Sequence, residues 1–595
     1  MTKKFNTQNA ILIFCIVLLA LTLFYQAKSL LVEPKERTMT LLAASGDSPS
    51  TYKGEVAEMS LKIKRGDGKV AINTEPLTQL DTQISMRFAQ QFACDYLKID
   101  CSDKDFFYKI KANSNIIGGP SAGAAATVLT ISALSNQDLK NDIAMTGTIN
   151  SGGAIGPVGA LKEKIEAAAS KRFEKVLIPQ GTSNFKRNGT DINLGEYGKE
   201  KNIRVIEVSD IDEALTQFGF NIPQREIADY NNSEFQKLMK QISDNLCSRA
   251  KSFSDRISFT NRSNDSQKLL DQEKYYAASS FCFIDNINAQ EAFLVKRNHT
   301  VYELKSLIDE LRFKIKGEEI ELKNRKINTI SDLQTNMIIS ERLSDAKDGL
   351  KEVEESLNTS NKVEIDVDLI DMDFLNQTSN KTSLPDLRAL AFVNERLETI
   401  KSWKFFYNLT GKKIVLDDNL KDTCDKKISE ADERHQYSNL FLTGDRNNEA
   451  LGNAKKNRDD KDYASCIFQA SKSKAEANTI ISSIGVTQEN LNLVIKTKLK
   501  LAAKSLKERN SEHISPILGN SYLEYGEVLS ERNETISLLY AEYALEFSDL
   551  DVYFPEKSAK RARVSQEVNL YFNGLVAGIL IGLMAFLALN FNRKR

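Results

Sequence analysis

Glycine and proline thin out abruptly part-way along this chain of 595 residues. Seventeen of its 28 glycines precede residue 223, and only eight lie between 223 and 565. Of ten prolines, only Pro385 and Pro516 fall between 224 and 554. Proline removes a main-chain donor and breaks helices, while glycine supplies turns. The first part can therefore hold many short elements, and the second is confined to long helices. The chain is also too long for one hydrophobic core. The expectation is an α/β (α+β) domain over 38–222, then an all-α domain over 223–565, divided near Pro223.

In the first part, strands are expected over 38–44 and 54–63. Arg65-Gly66-Asp67-Gly68 reads as a hairpin turn into a strand over 69–73. Ile84, Phe88, Phe92, Ala93 and Tyr96 recur at helical spacing. Further strands at 106–110, 143–149, 176–179 and 203–208 alternate with helices at 122–134, 161–170 and 211–218, the mark of a mixed α/β layer. In the second part Val301, Leu304, Leu307, Ile308, Leu311 and Ile315 follow a helical stripe. The segment Tyr275 to Phe283 resembles Asp462 to Phe468, and a cysteine precedes each. This reads as two related helical hairpins stapled by Cys247–Cys282 and Cys424–Cys466, leaving Cys94–Cys101 as the third pair. Buried free thiols are the competing expectation.

Both ends are apolar. Residues 10–25 read AILIFCIVLLALTLFY, and the run 9–27 is taken as a transmembrane anchor in preference to a cleaved signal. Residues 570–591 read as a second transmembrane helix, followed by Arg593, Lys594 and Arg595. Gly574, Gly578 and Gly582 give it small residues at helix-packing spacing. Six cysteines remain outside the first run, an even number that suits an oxidising exterior. The expectation is a membrane protein, two-pass or signal plus single-pass, with membrane lipid as a partner and its working domain outside the cytoplasm. Lys plus Arg number 80 against 81 Asp plus Glu. That balance lacks the basic excess of a nucleic-acid binder, so no nucleic acid is expected.

One stretch carries chemistry: Gly118-Gly119-Pro120-Ser121-Ala122-Gly123, a serine in a turn that opens an Ala-rich helix. A helix amino end offers unpaired N–H groups suited to an oxyanion. The plainer alternative is an ordinary capping serine. A nucleophilic serine needs a base, and the only histidines are His299, His435 and His513. A Ser-His-Asp triad within the first part is therefore excluded. A carboxylate or a neutral lysine remains. Bringing a lysine from about 10.4 towards 7–8 needs roughly 4 kcal/mol of destabilised charge, which burial can provide.

The second signature is Met145-Thr146-Gly147-Thr148-Ile149, then Gly152-Gly153 through Leu161-Lys162-Glu163-Lys164-Ile165. With the serine turn and Val176-Leu177-Ile178-Pro179, these segments resemble the proteolytic domain of the Lon peptidase family, over Met39 to Gly219. The resemblance implies a catalytic dyad of Ser121 and Lys164, with Lys162 a solvated neighbour. It implies that Thr146 supports the lysine, that Gly119, Pro120 and Ala122 shape the turn, and that no cofactor or metal is used. Rings of identical chains, a homo-oligomer, are the family's habit. Two positions depart from the family: an aspartate is replaced by Gly118 and an acid by Thr148. No Gly-x-x-x-x-Gly-Lys-Ser/Thr run occurs, so no Walker-type phosphate loop is present.

The expected function is an ATP-independent, membrane-anchored serine endopeptidase of archaeal type. It would cut peptide bonds in unfolded or membrane-proximal proteins. The rivals are a catalytically degenerate Lon-like domain serving as a tethered binding scaffold, and a peptidase that cuts only its own chain once.

Overall fold

The computed structural model describes residues 36–45, 52–78, 80–117, 119–187, 190–222, 233–257, 265–297, 299–363, 387–409, 419–439, 448–484, 486–511 and 513–554, with positions 411, 413, 414, 578 and 582 besides. A mixed α/β region is followed by a mainly helical one.

The α/β region is built on a seven-stranded sheet. Its strands are β1 (Arg37–Ser45), β2 (Lys53–Arg65), β3 (Val70–Thr78), β4 (Lys104–Ile117), β5 (Ile143–Met145), β8 (Lys175–Pro179) and β11 (Arg204–Val208), in the order β11-β8-β5-β1-β2-β4-β3. Two short hairpins lie beside it: β6 (Thr148–Ile149) with β7 (Ile155–Gly156), and β9 (Asn184–Arg187) with β10 (Thr190–Asn193). Helices α1 (Leu80–Leu97), α2 (Gly123–Ser135), α3 (Leu161–Ser170), α4 (Leu194–Glu200) and α5 (Ile211–Gln217) cover both faces. Neighbouring strand residues divide between the two cores. Leu41 and Met145 join the core under α1, α2 and α5, whereas Leu42 and Ala144 join the core under α3 and α4. Strands covered on both faces read as apolar runs, which is why 143–145 and 176–179 carry no polar residue.

The turn at 66–68 does not close a hairpin. β2 and β3 each pair with β4, which lies between them, antiparallel to β2 and parallel to β3. Asp105 explains the correction. Its Oδ1 accepts from the N–H groups of Asp67 and Lys69 at 2.9 and 2.8 Å. Gly66 N–H donates to the Asp103 carbonyl at 2.9 Å. These bonds draw the turn onto β4, a partner outside the local sequence. The strand expected over 143–149 is likewise interrupted at Thr146 and Gly147: Thr146 N–H still donates to the Leu177 carbonyl of β8 at 3.1 Å, whereas Gly147 N–H turns to the Ser121 carbonyl.

The helical region contains α6 (Ser233–Ile257), α7 (Asp265–Asp271), α8 (Tyr275–Arg297), α9 (Val301–Asn324), α10 (Ile330–Val363), α11 (Leu387–Trp403), α12 (Asn419–Asn439), α13 (Glu449–Asp459), α14 (Tyr463–Ser483), α15 (Gln488–Ser511), α16 (Ile517–Leu529) and α17 (Glu534–Ser548). α6–α8 and α12–α14 repeat a long, short, long pattern. In each, a residue with positive φ, Glu273 at 59° or Lys461 at 62°, stands two places before the tyrosine that opens the last helix. Disulfides join Cys247 of α6 to Cys282 of α8, and Cys424 of α12 to Cys466 of α14. A third joins Cys94 to Cys101 at the end of α1.

The expected flanking transmembrane helices are not supported, and neither is a membrane-spanning localisation. Among the described residues no helix is long and apolar enough to cross a membrane. The two apolar runs at 9–27 and 570–591, apart from Gly578 and Gly582, lie outside the described residues.

Candidate active site

Ser121 sits in a single 3₁₀ turn, Pro120–Ala122, that runs directly into α2. Gly119 enters the turn at φ 92° and ψ 145°, where a side-chain-bearing residue is strained. Proline at the first helical position costs nothing, because its missing N–H would have no helical partner. A β-carbon on Gly123 would lie 2.8 Å from the Ile149 side chain and 3.1 Å from its nitrogen. Glycine there lets α2 lie directly on β6.

The break between β5 and β6 stitches the serine turn to the sheet. Gly147 N–H donates to the Ser121 carbonyl at 3.0 Å, and Ala124 N–H to the Gly147 carbonyl at 3.1 Å. Thr146 is thereby left at the carboxyl end of β5 with its side chain buried beside the turn. Open α/β sheets commonly place their chemistry at strand carboxyl ends.

Lys164 reaches the same point from α3. Ala160, at φ 56°, turns the chain into that helix, and Lys164 N–H donates to its carbonyl at 3.0 Å. The Lys164 side chain is 4% exposed. Its amine donates to Thr146 Oγ1 at 3.2 Å, and the Thr146 hydroxyl donates to the Ser121 carbonyl at 3.4 Å. Thr146 is thus the bridge between the two residues. Among the described residues no hydrogen bond joins the Ser121 hydroxyl directly to the amine, and no carboxylate pairs with the amine. Burial with no anion to offset it lowers the Lys164 pKa from 10.5 to about 8. Lys162 points elsewhere and lies 4.9 Å over the Tyr197 ring. Gly118 lies outside the described residues; Thr148 is buried and accepts from Asn150 Nδ2 at 3.4 Å. Among the described residues no cluster of metal-ligating side chains occurs.

Two residues not singled out in the sequence touch the turn. Gly119 N–H donates to Asp81 Oδ2 at 3.0 Å, and Thr82 Oγ1 donates to the Gly119 carbonyl at 3.2 Å. The only local signal is an acid and a hydroxyl in the first turn of α1. Nothing in a single sequence ties them to a glycine 38 residues on.

The helical region docks on the loop behind the site. Gly152, at φ 67°, would carry a β-carbon 2.7 Å from Leu545 and 3.3 Å from Leu501. Lys498, 1% exposed, donates to Ser151 Oγ at 2.8 Å and pairs with Glu542 at 2.8 Å. Ser151 also hydrogen-bonds Glu542, whose other oxygen accepts from Ser482 at 2.9 Å.

Residues 87–218 match the family model of the Lon protease (S16) C-terminal proteolytic domain. The chain is 28% identical over 194 residues to a Lon protease of Lawsonia intracellularis, an alignment covering 32% of this chain and 22% of that protein. It is 38% identical over 97 residues to a Lon protease of Trichlorobacter lovleyi, covering 16% and 11%. It is 30% identical over 174 residues to an archaeal Lon protease of Archaeoglobus fulgidus, covering 29% and 27%. The chain spans between 11% and 27% of the length of these relatives.

Proposed function

We propose that this protein is a serine endopeptidase in which Ser121 is the nucleophile and Lys164 the general base. The observation that carries this is the Lys164 amine itself: buried, without a carboxylate partner among the described residues, and held by the threonine that also bonds the Ser121 residue. A group with a pKa near 8 is neutral in a useful fraction at physiological pH, and it can both take and return a proton. The names of the similar proteins and the family match agree with peptide hydrolysis.

The steps follow from the residues. Neutral Lys164 takes the proton of the Ser121 hydroxyl as Oγ attacks a peptide carbonyl. Rotation about the Ser121 side chain brings the hydroxyl to the amine, a tightening common when substrate binds. Negative charge develops on the carbonyl oxygen at the amino end of α2, where main-chain N–H groups and the helix dipole favour it. The charged Lys164 then protonates the leaving amine, and an acyl ester on Ser121 remains. Water, deprotonated by the again neutral Lys164, cleaves that ester and restores both groups.

Unfolded polypeptide is the proposed substrate, cut without ATP, since the sequence has no Walker-type phosphate loop. The test is hydrolysis of fluorescein-labelled casein by the full chain with and without ATP. The expected result is ATP-insensitive cleavage that disappears in Ser121→Ala. Wild-type rates in Ser121→Ala would end the proposal. A scaffold without activity would leave casein intact, and a fluorophosphonate would fail to label Ser121. Mass spectrometry of the same sample separates turnover from a single cut in its own chain.

A further inference from the structure

Gly119 joins the sheet to the serine turn, and α1 holds both of its main-chain polar groups. Its N–H is bound by Asp81 Oδ2 and its carbonyl by Thr82 Oγ1. The second Asp81 oxygen accepts from Thr82 N–H at 2.6 Å, and Ser85 Oγ donates to the Asp81 carbonyl at 2.8 Å. The first turn of α1 is therefore tied internally before it grips Gly119. Thr82 is 1% exposed. A bond from an N–H to a carboxylate is stronger and more directional than one between neutral groups. Such a hold matters here, because positive-φ glycine has unusual freedom to move. α1 thus brings a carboxylate to the residue that enters the serine turn.

α1 is itself braced from the helical region. Ile84 packs with Tyr437 and Ile481. The Arg434 guanidinium lies 3.6 Å over the Phe88 ring, and Gln91 Nε2 donates to Glu430 at 2.9 Å. A path of direct contacts thus runs from α12 and α14 through α1 to Gly119, two residues before Ser121.

We infer that Asp81 and Thr82 are positioning residues of the peptidase site: they lock Gly119 so that the Ser121 hydroxyl and the amino end of α2 stay aligned for the tetrahedral intermediate, and the helical region supports them through α1. The inference rests on the proposed Ser121/Lys164 peptidase. Asp81 and Thr82 contact neither Lys164 nor Thr146 among the bonds described. Because Asp81 already takes the Gly119 N–H, that donor is part of the support and not of the oxyanion site. A misplacement of about 1 Å at a reacting group can cost on the order of 100-fold in rate, so a hold on this turn has catalytic leverage.

The experiment uses the full chain carrying Asp81→Asn, Thr82→Val or Tyr437→Ala, beside Ser121→Ala. A fluorogenic casein-sequence peptide reports kcat and KM, and a peptide boronate that adds to Ser121 reports transition-state affinity. Asp81→Asn is expected to lower kcat roughly 10- to 100-fold with KM within about twofold. The boronate Ki should rise by a similar factor. The pH midpoint should stay fixed, since Lys164 is untouched, and so should the unfolding temperature. Tyr437→Ala should lower kcat and raise the boronate Ki about three- to tenfold at temperatures where it stays folded, with a lower unfolding temperature because Tyr437 is buried in the contact with Ile84.

Wild-type kcat and Ki in Asp81→Asn, with Ser121→Ala inactive, would overturn the inference and leave the peptidase standing. An active Ser121→Ala would overturn the peptidase itself. Should Asp81→Asn fail to fold, Thr82→Val decides by the same kcat and Ki criteria, because it removes only the partner of the Gly119 carbonyl.

Discussion

The α/β region and the helical region both bury lysines, but give them different partners. In the α/β region Lys164 has a threonine hydroxyl and, among the described residues, no carboxylate, and its pKa falls to about 8. In the helical region Lys474 binds Glu430 at 2.7 Å and Glu546 at 3.2 Å, and these carboxylates lift its pKa above the usual lysine value despite burial. Lys427 pairs with Glu546, and Lys498 with Glu542, where burial outweighs the single carboxylate and the Lys498 pKa is lowered. The difference teaches that two carboxylates hold the buried Lys474 charged as a strut, whereas a buried lysine with only a hydroxyl beside it is poised to lose its proton. Such a lysine carries an energetic penalty, and perturbed groups of this kind cluster at functional sites.

The strongest test of that contrast is Lys164→Met. It should lower casein hydrolysis by at least about 1,000-fold, as loss of a catalytic base does. It should also make the protein more stable, by roughly 3 kcal/mol at pH 7 in denaturant titration. The sign follows from the direction of the shift. The folded pKa lies below the unfolded 10.5, so the penalty on the buried cation is complete below about pH 8 and fades as pH rises towards 10.5. A loss of stability in this variant would break the comparison.

Lys498→Ala tests the other side. It strands the Glu542 charge, which is 0% exposed, and should cost about 3–5 kcal/mol. Replacing both partners with apolar residues should recover much of that loss. A neutral effect of the single change would show that the pair is no strut.

Disulfide removal comes next. Cys247–Cys282 and Cys424–Cys466 close 35- and 42-residue separations, whereas Cys94–Cys101 closes seven. On loop-entropy grounds, losing either of the first two should cost about 4 kcal/mol, and losing the third about 2. Reductant should therefore melt the helical region first, and hydrogen exchange followed by mass spectrometry would report the order. The smallest effect is pH. Below about pH 8 hydrolysis should fall roughly tenfold per unit as Lys164 gains its proton, with a plateau above. A profile flat from pH 6 to 9 would remove Lys164 as the base.

What could be read from residue order alone is specific. The fall in glycine and proline near Pro223 separates the mixed region from the helical one, because those residues act on their own backbone. The Ser121 turn stands out for the same reason, because a turn is a local event; Thr146 and Lys164 stand out only through the resemblance to the Lon proteolytic domain. Period and composition also located most strands of the α/β region. They missed β7, the β9–β10 hairpin and α4, which are short.

Other decisions required the folded chain. β4 enters between β2 and β3 because Asp105 captures the 66–68 turn. β5 ends at Met145 because the next two residues part: Thr146 N–H stays on Leu177 of β8, while Gly147 N–H turns to Ser121. Which buried lysine meets a carboxylate and which meets only a hydroxyl depends on what distant helices bring alongside. So does the reach of Asp81 and Thr82 to Gly119. Backbone preference is set within a few residues, whereas hydrogen-bond partners and the local dielectric are set by whatever packs nearby. The amino-acid order therefore named the candidate serine and lysine, and only tertiary packing decided the protonation and alignment that would let them work.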